Sequence, residues 1–158
     1  MPSPEITVAA VAQAHGRFLL VEERVAGHLV LNQPAGHLEP GETLLEAVVR
    51  EVREETAWGF TASALLGVYL WRHPHTGRQF KRFAFTGEVA DHREQPLDAG
   101  IVATHWLHPA DVRARGVQLR SPLVLRCIDD YLAGARSPLA AVARLDLESA
   151  LAVAAIEV

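Results

Sequence analysis

The chain has 158 residues, 49% of them apolar, which fits a single domain over residues 1–158 with one buried core. Its net charge of -4 argues against a stable nucleic-acid partner held by a broad basic surface, although a few local cations would still bind a small anionic substrate. The sequence has no apolar run of membrane-spanning length, no secretory signal and no cysteine other than Cys127. We therefore expect a cytoplasmic protein without disulfides.

The N-terminal part of the chain predicts a sheet followed by a helix. Short runs of β-branched and apolar residues suggest strands at residues 6–12, 18–21 and 28–31, separated by turns at His15-Gly16 and Gly27. After the break at Pro40-Gly41, apolar residues spaced three and four apart predict a helix over residues 43–56.

The second half of the chain predicts a hairpin and then further helices. Strands are expected at residues 64–71, 79–89 and 101–107, a short helix after His108-Pro109, and a longer one from Ser121-Pro122 to about Ala133. The Ala/Leu/Val-rich segment 137–158 fits a terminal helix, a partner-binding surface or a poorly ordered tail. We therefore expect one α/β (α+β) unit in which helices flank an antiparallel or mixed sheet.

Three carboxylates on the first predicted helix are the clearest chemical signal. Glu51, Glu54 and Glu55 are three and four residues apart, so they share one helix face. Like charges so close destabilise a helix unless cations neutralise them. Carboxylate oxygens suit Mg²⁺ or Mn²⁺, and Mg²⁺ usually completes its coordination with water and substrate phosphate. The pattern indicates a metal site for a phosphate-bearing substrate; the alternative is that residues 50–55 form an ordinary solvated helix face.

The stretch around these carboxylates resembles the sequence motif of the Nudix hydrolases, here residues 36–58. That motif reads G-x5-E-x7-R-E-U-x-E-E-x-G-U, with U apolar, and it is matched by Gly36, Glu42, Arg50, Glu51, Val52, Glu54 and Glu55. Ala57 replaces the second glycine of the motif, so the left-handed turn that usually ends the helix must be made by another residue or another route.

Residues 32–39 and 119–124 extend the resemblance to the NudJ-type phosphatases, a Nudix subgroup similar to nearly all of residues 5–140. The resemblance implies an α/β/α sandwich around a mixed sheet. The expected oligomeric state, monomer or homodimer, stays open. The resemblance also implies hydrolysis of nucleoside tri- and diphosphates or of the thiamine pyrimidine (HMP) diphosphate. Two alternatives are a dinucleoside polyphosphate or other Nudix pyrophosphatase and a nucleotide-binding regulatory module.

The resemblance also implies roles for individual residues. Glu51 and Glu55 would be the principal Mg²⁺ ligands, with Mn²⁺ as a possible substitute. Glu54 would be a further ligand or would orient the attacking water, and the backbone carbonyl of Gly36 would complete the site. Arg50 lies one helical turn before Glu54 and would hold that carboxylate, so Arg50 and Glu54 are the expected catalytic residues.

Five residues outside the carboxylate triplet are candidates for supporting roles. Asp98, just before the last predicted strand, is a possible auxiliary acid. For substrate binding, Trp71 can stack on a pyrimidine or purine ring, and Arg82 can contact a phosphate. Gln33 carries an amide that can read a ring edge or a phosphate. Glu42, near the helix start, is expected to be structural.

Overall fold

The computed structural model describes residues 2–143, in which seven strands and four α-helices form. The strands are β1 (Glu5–Ala14), β2 (Arg17–Val25), β3 (His28–Asn32), β4 (Ala35–His37), β5 (Gly59–Arg72), β6 (Gln79–Ala90) and β7 (Ile101–Leu107). The helices are α1 (Leu44–Thr56), α2 (Pro109–Arg115), α3 (Leu123–Leu132) and α4 (Leu139–Ala143), with a 3₁₀ turn at Gly116–Gln118. Among these helices, none has the length and apolar character needed to span a membrane.

The seven strands form one mixed sheet. Its main order is β3-β2-β1-β6-β5, with β4 added on β1 and β7 added on β2. β1 and β6 run parallel, and the other pairs are antiparallel. β1 therefore connects two groups of strands: it pairs with β6 along most of its length and with β4 over three residues, and its last two residues pair with β2.

Helices cover both faces of the sheet. On one face, a core joins α1 and α4 to the strands through Leu44, Val48, Val52, Val142, Val8 and Phe85. On the other face, a second core joins α2 and α3 to the strands through Val112, Val124, Ile128, Val11 and Leu20. Side chains alternate between the faces along each strand, so β1 contributes to both cores. The expected α/β/α arrangement around a mixed sheet is confirmed.

Two details of the structure differ from the prediction. The sequence predicts no strand between residue 31 and the helix at 43–56, but residues 35–37 form strand β4, whose residue Gly36 pairs with Val8. β5 begins at Gly59, five residues before the predicted start at 64. Two register shifts in its pairing with β6 interrupt the alternation by which strands are recognised. Of the segment 137–158, the structure describes residues up to 143, and residues 144–158 lie outside it.

Helix α1, which carries the carboxylates, has well-defined ends. Thr43 accepts a hydrogen bond from the backbone N–H of Glu46, whose side chain in turn accepts from the Thr43 N–H, so both ends of a capping box are present. At the other end, Ala57 itself adopts the left-handed conformation, with φ of 64°. Its N–H donates to the Arg53 carbonyl at 3.0 Å. The missing glycine of the motif is thus replaced by an alanine in the same conformation.

Candidate active site

Three carboxylates from α1 and a neighbouring loop meet in one place. One oxygen each of Glu51, Glu54 and Asp98 lie within 4.8 Å of one another, and we call these three residues the acidic cluster. Asp98 is held there by its backbone N–H, which donates to the Glu54 carbonyl at 2.9 Å. The possible auxiliary acid is therefore next to the helix carboxylates, although 43 residues separate the two backbone groups along the chain.

Glu55 lies beside the acidic cluster and is held separately. Its Oε1 accepts a hydrogen bond from the Ala35 N–H of β4 at 2.7 Å. Burial raises the pKa of Glu55 to about 9 against the effect of that hydrogen bond, and nearby Glu51 adds to the shift. Burial also raises the pKa of Glu51, although Arg50 opposes the change. Ionising both carboxylates is therefore costly unless a cation is close.

Gly36 packs directly against Glu51. A Cβ atom at Gly36 would lie only 2.0 Å from Oε1 of Glu51, so any side chain here would displace the carboxylate. The donors around this point are carboxylate and carbonyl oxygens, which are the ligands of hard divalent cations. The donor set and the close packing fit a hard divalent cation, and the role of the Gly36 carbonyl stays a prediction.

Arg50 links the carboxylates of α1. Its Nη1 donates to Glu51 at 2.8 Å and to Glu54 at 3.2 Å. Its Nε and Nη2 donate to the two oxygens of Glu42 at 3.0 and 2.6 Å. This two-point contact fixes the plane of the guanidinium and, with it, the positions of Glu51 and Glu54. The hydrogen bonds from Arg50 also lower the pKa of Glu42.

A cavity of about 220 Å³ adjoins these acids on the far side of β4, and we call it the aromatic pocket. Ala35 and Gly36 line it, and the same two residues contact Glu55 and Glu51 on the other side. Trp71 and Phe80 form a stacked pair in its wall, with ring centroids 5.8 Å apart. The candidate stacking residue is therefore in a pocket next to the acidic cluster.

Arg82 also lines the aromatic pocket and is almost completely buried, with 6% of its surface exposed. It donates to Gln33 Oε1 at 3.1 Å and to Asn32 Oδ1 at 3.2 Å, whereas its Nε has no hydrogen-bond partner among residues 2–143. Burial lowers its pKa. A buried cation with an unused donor is suited to an anionic ligand.

Gln33 is buried behind Arg82 and is not part of the pocket wall. Its Oε1 accepts from Arg82, and its Nε2 donates to the Val124 carbonyl at 2.8 Å. Both ends of the amide are thus occupied by the protein, an arrangement that positions Arg82. A direct contact between Gln33 and substrate stays a prediction.

Sequence reasoning missed seven polar or aromatic residues of the pocket: Thr7, Glu23, Asn32, His37, Phe80, Arg120 and Ser121. Glu23 and Arg120 resemble ordinary surface charges of a strand and a loop. Their position depends on the pairing of distant segments, such as the hydrogen bond from the Arg120 N–H to the Leu31 carbonyl. Asn32 could have been found from the sequence, because it lies directly before the candidate substrate-binding residue Gln33.

Comparisons with known proteins agree with this geometry. The model of the NUDIX domain family matches residues 1–127. Phosphatase NudJ of Escherichia coli strain K12 is 40% identical over 140 residues, covering 88% of this chain and 90% of that protein. A solved NUDIX hydrolase from Nitrosomonas europaea has 45% identity and a TM-score of 0.86, covering 88% of this chain and 95% of its own. MutT protein from Methanosarcina mazei Go1 shares the fold at 22% identity and a TM-score of 0.68, covering 86% of this chain and 99% of its own. The chain therefore belongs to the Nudix family and is a hydrolase that acts on phosphorus anhydrides.

Proposed function

We propose that the protein is a Mg²⁺-dependent hydrolase that cleaves a pyrophosphate linkage in nucleoside di- or triphosphates or in the thiamine pyrimidine (HMP) diphosphate. The observation that carries the proposal is that β4 separates an all-oxygen set of acids from a pocket with a stacked aromatic wall. The similarity to Phosphatase NudJ supports the release of phosphate from such a substrate. Mn²⁺ is expected to substitute for Mg²⁺ because both prefer oxygen ligands.

The proposed metal ligands are Glu51, Glu54 and Glu55, with the Gly36 carbonyl. A bound divalent cation supplies the positive charge that polarises phosphoryl oxygens and offsets charge developing in the transition state. Glu54, the most exposed of the three carboxylates, has the access needed to orient the attacking water. Arg50 holds two of these carboxylates in position through its hydrogen bonds to Glu51 and Glu54.

Two further residues complete the proposed reaction site. Asp98 contributes the auxiliary acid, since its carboxylate belongs to the acidic cluster. Arg82 lines the pocket, where its positive charge would attract the phosphate chain. Gln33 supports that role by holding Arg82 in place.

The pocket favours a substrate with one small organic group. Trp71 supplies a face on which an aromatic ring can stack. The cavity of about 220 Å³ is smaller than the roughly 300–1,000 Å³ of typical ligand sites. A single ring fits this volume better than the two nucleosides of a dinucleoside polyphosphate, which is the alternative substrate.

We also propose a cytoplasmic protein that works as a single domain over residues 1–158, as a monomer or homodimer. The single cysteine, Cys127, is buried and free, which suits a reducing compartment. The net charge of -4 supports the absence of a stable nucleic-acid partner.

The proposal is tested by phosphate and pyrophosphate release from a panel of substrates, with and without Mg²⁺. The panel contains nucleoside di- and triphosphates, the thiamine pyrimidine diphosphate, dinucleoside polyphosphates and nucleotide sugars. We expect Mg²⁺-dependent turnover of the first two groups. Absence of Mg²⁺-dependent turnover from the whole panel would instead support the binding-module alternative.

The same assay tests the catalytic role of Glu54. Glu54→Gln keeps the size of the side chain but removes the charge, so we expect turnover to fall by about 100-fold or more. Glu88→Gln is the matched control, because Glu88 is an exposed residue of β6 and does not belong to the acidic cluster. Equal turnover by Glu54→Gln and the native protein would remove Glu54 from the mechanism.

A further inference from the structure

Glu23 places a carboxylate with unused hydrogen-bond acceptors in the wall of the aromatic pocket. Its Oε1 lies 3.7 Å from Nε of Arg120, which is an ion pair but is longer than a hydrogen bond. In the part of the chain that the structure describes, this carboxylate accepts no hydrogen bond, and 22% of the side chain is exposed. Its oxygens are therefore available as acceptors to a molecule in the pocket.

A carboxylate in this position conflicts with a purely phosphate-binding role for the pocket. Phosphate groups are anionic, so an ionised Glu23 would repel them. The repulsion disappears if Glu23 faces the organic half of the substrate and accepts a hydrogen bond from it. Arg82 and Arg120, which also line the pocket, remain for the anionic part.

Asn32 adds a donor next to this acceptor. A guanidinium only donates hydrogen bonds, so the Asn32 atom that contacts Arg82 must be Oδ1, which leaves Nδ2 directed elsewhere. Within residues 2–143 the Asn32 side chain makes one hydrogen bond, which its Oδ1 accepts from Arg82, and Asn32 lines the pocket. Because Val21 pairs with Asn32, Glu23 lies on the same face of the sheet as a diagonal neighbour of Asn32.

We propose that Glu23 and Asn32 select substrates whose aromatic ring carries an amine beside a ring nitrogen, as in 4-aminopyrimidines. Glu23 accepts from the amine, Asn32 donates to the ring nitrogen, and Trp71 stacks on the ring. The 4-oxo analogue presents a carbonyl to the carboxylate and a ring N–H to the amide donor, so both contacts become repulsive. The inference rests on the proposed function, since it names the ring class of that substrate.

The test is calorimetric binding of cytidine diphosphate and uridine diphosphate, which differ at this ring edge, in the absence of divalent metal. We expect the native protein to bind the cytidine compound about tenfold more tightly or better. In Glu23→Gln the neutral amide can donate to the 4-oxo group, so the ratio should fall to about one or reverse. Equal affinities in the native protein, or an unchanged ratio in Glu23→Gln, would overturn the inference.

Glu22→Gln is the matched control. Glu22 is the adjacent residue of β2, lies on the opposite face of the strand and contacts His105 at 3.2 Å instead of the pocket. The ratio of its affinities for cytidine diphosphate and uridine diphosphate should equal the ratio of the native protein. Because binding is measured without turnover, failure of the hydrolase proposal leaves this test intact. A uniform loss of turnover in Glu23→Gln, with an unchanged binding ratio, would assign Glu23 to the acidic cluster and contradict the inference.

Discussion

Arg50 donates hydrogen bonds to three carboxylates, and we expect its geometry to matter more than its charge. Lysine would keep the charge but lose the two-point contact with Glu42 that fixes the guanidinium plane. We expect Arg50→Lys to reduce kcat by about 10–100-fold through misplaced carboxylates, with a smaller change in KM. Steady-state kinetics at saturating Mg²⁺ would measure this effect.

The control for Arg50→Lys is Arg17→Lys, which makes the same exchange at an exposed residue of β2. Both variants should unfold at nearly the same temperature as the native protein. Native-like kcat in Arg50→Lys would mean that charge alone is sufficient and that the contact with Glu42 is unnecessary.

Glu55 is predicted to stabilise the metal-bound protein and to destabilise the metal-free one. Its folded pKa of about 9 lies above the ordinary value of 4.5, so the metal-free protein should lose stability as pH rises from 4.5 to 9, while the unfolded chain is already ionised. Glu55→Gln keeps an acceptor for the Ala35 N–H and removes this pH dependence. It should also reduce the stabilisation by Mg²⁺.

Thermal unfolding in chelator and in Mg²⁺, at several pH values, would measure both effects of Glu55→Gln. Glu88→Gln, at an exposed position, should follow the native pH profile. If chelated native protein and Glu55→Gln lose stability in parallel as pH rises, burial of Glu55 is not the source of the pH dependence.

At the level of single elements, the end of α1 carries a small conformational cost. Ala57 is in the left-handed region, with φ of 64°, where an L-residue with a Cβ is disfavoured by about 1 kcal/mol and glycine is not. Ala57→Gly should therefore increase the free energy of unfolding by about 0.5–1 kcal/mol. Denaturant titration is the appropriate measurement.

Ala47→Gly, in the middle of the same helix, is the control for Ala57→Gly and should have the opposite effect on stability. It should lower the free energy of unfolding by about 1 kcal/mol, because glycine costs that much in a helix interior. A loss of stability in Ala57→Gly as well would mean that contacts of the buried alanine methyl group outweigh its backbone conformation.

The elements differed in how far sequence could predict them. α1 was predicted within one residue because Leu44, Val48 and Val52 repeat at helical spacing toward one core. β4 was not predicted, since a three-residue strand has no periodicity and exists only through its pairing with β1. In the same way, the acids of α1 follow from local spacing, whereas the positions of Glu23 and Arg120 follow from tertiary pairing.

At the scale of the whole molecule, the aromatic pocket is assembled from both groups of strands. Trp71, Phe80 and Arg82 come from the β5–β6 hairpin, whereas Glu23 and Asn32 come from β2 and β3. β1 is the strand that connects these groups. The shape of the pocket therefore depends on the complete fold, and a short sequence motif cannot encode it.

Strand β4 has a consequence for how such an enzyme can diverge. The acids of α1 and Gly36 lie within one continuous stretch of 20 residues, from Gly36 to Glu55. The residues that line the aromatic pocket are scattered over strands on the other side of β4. Substitutions at those scattered sites can change which substrate the enzyme prefers, while the residues that cleave the bond are inherited unchanged. Substrate preference can therefore evolve separately from the reaction.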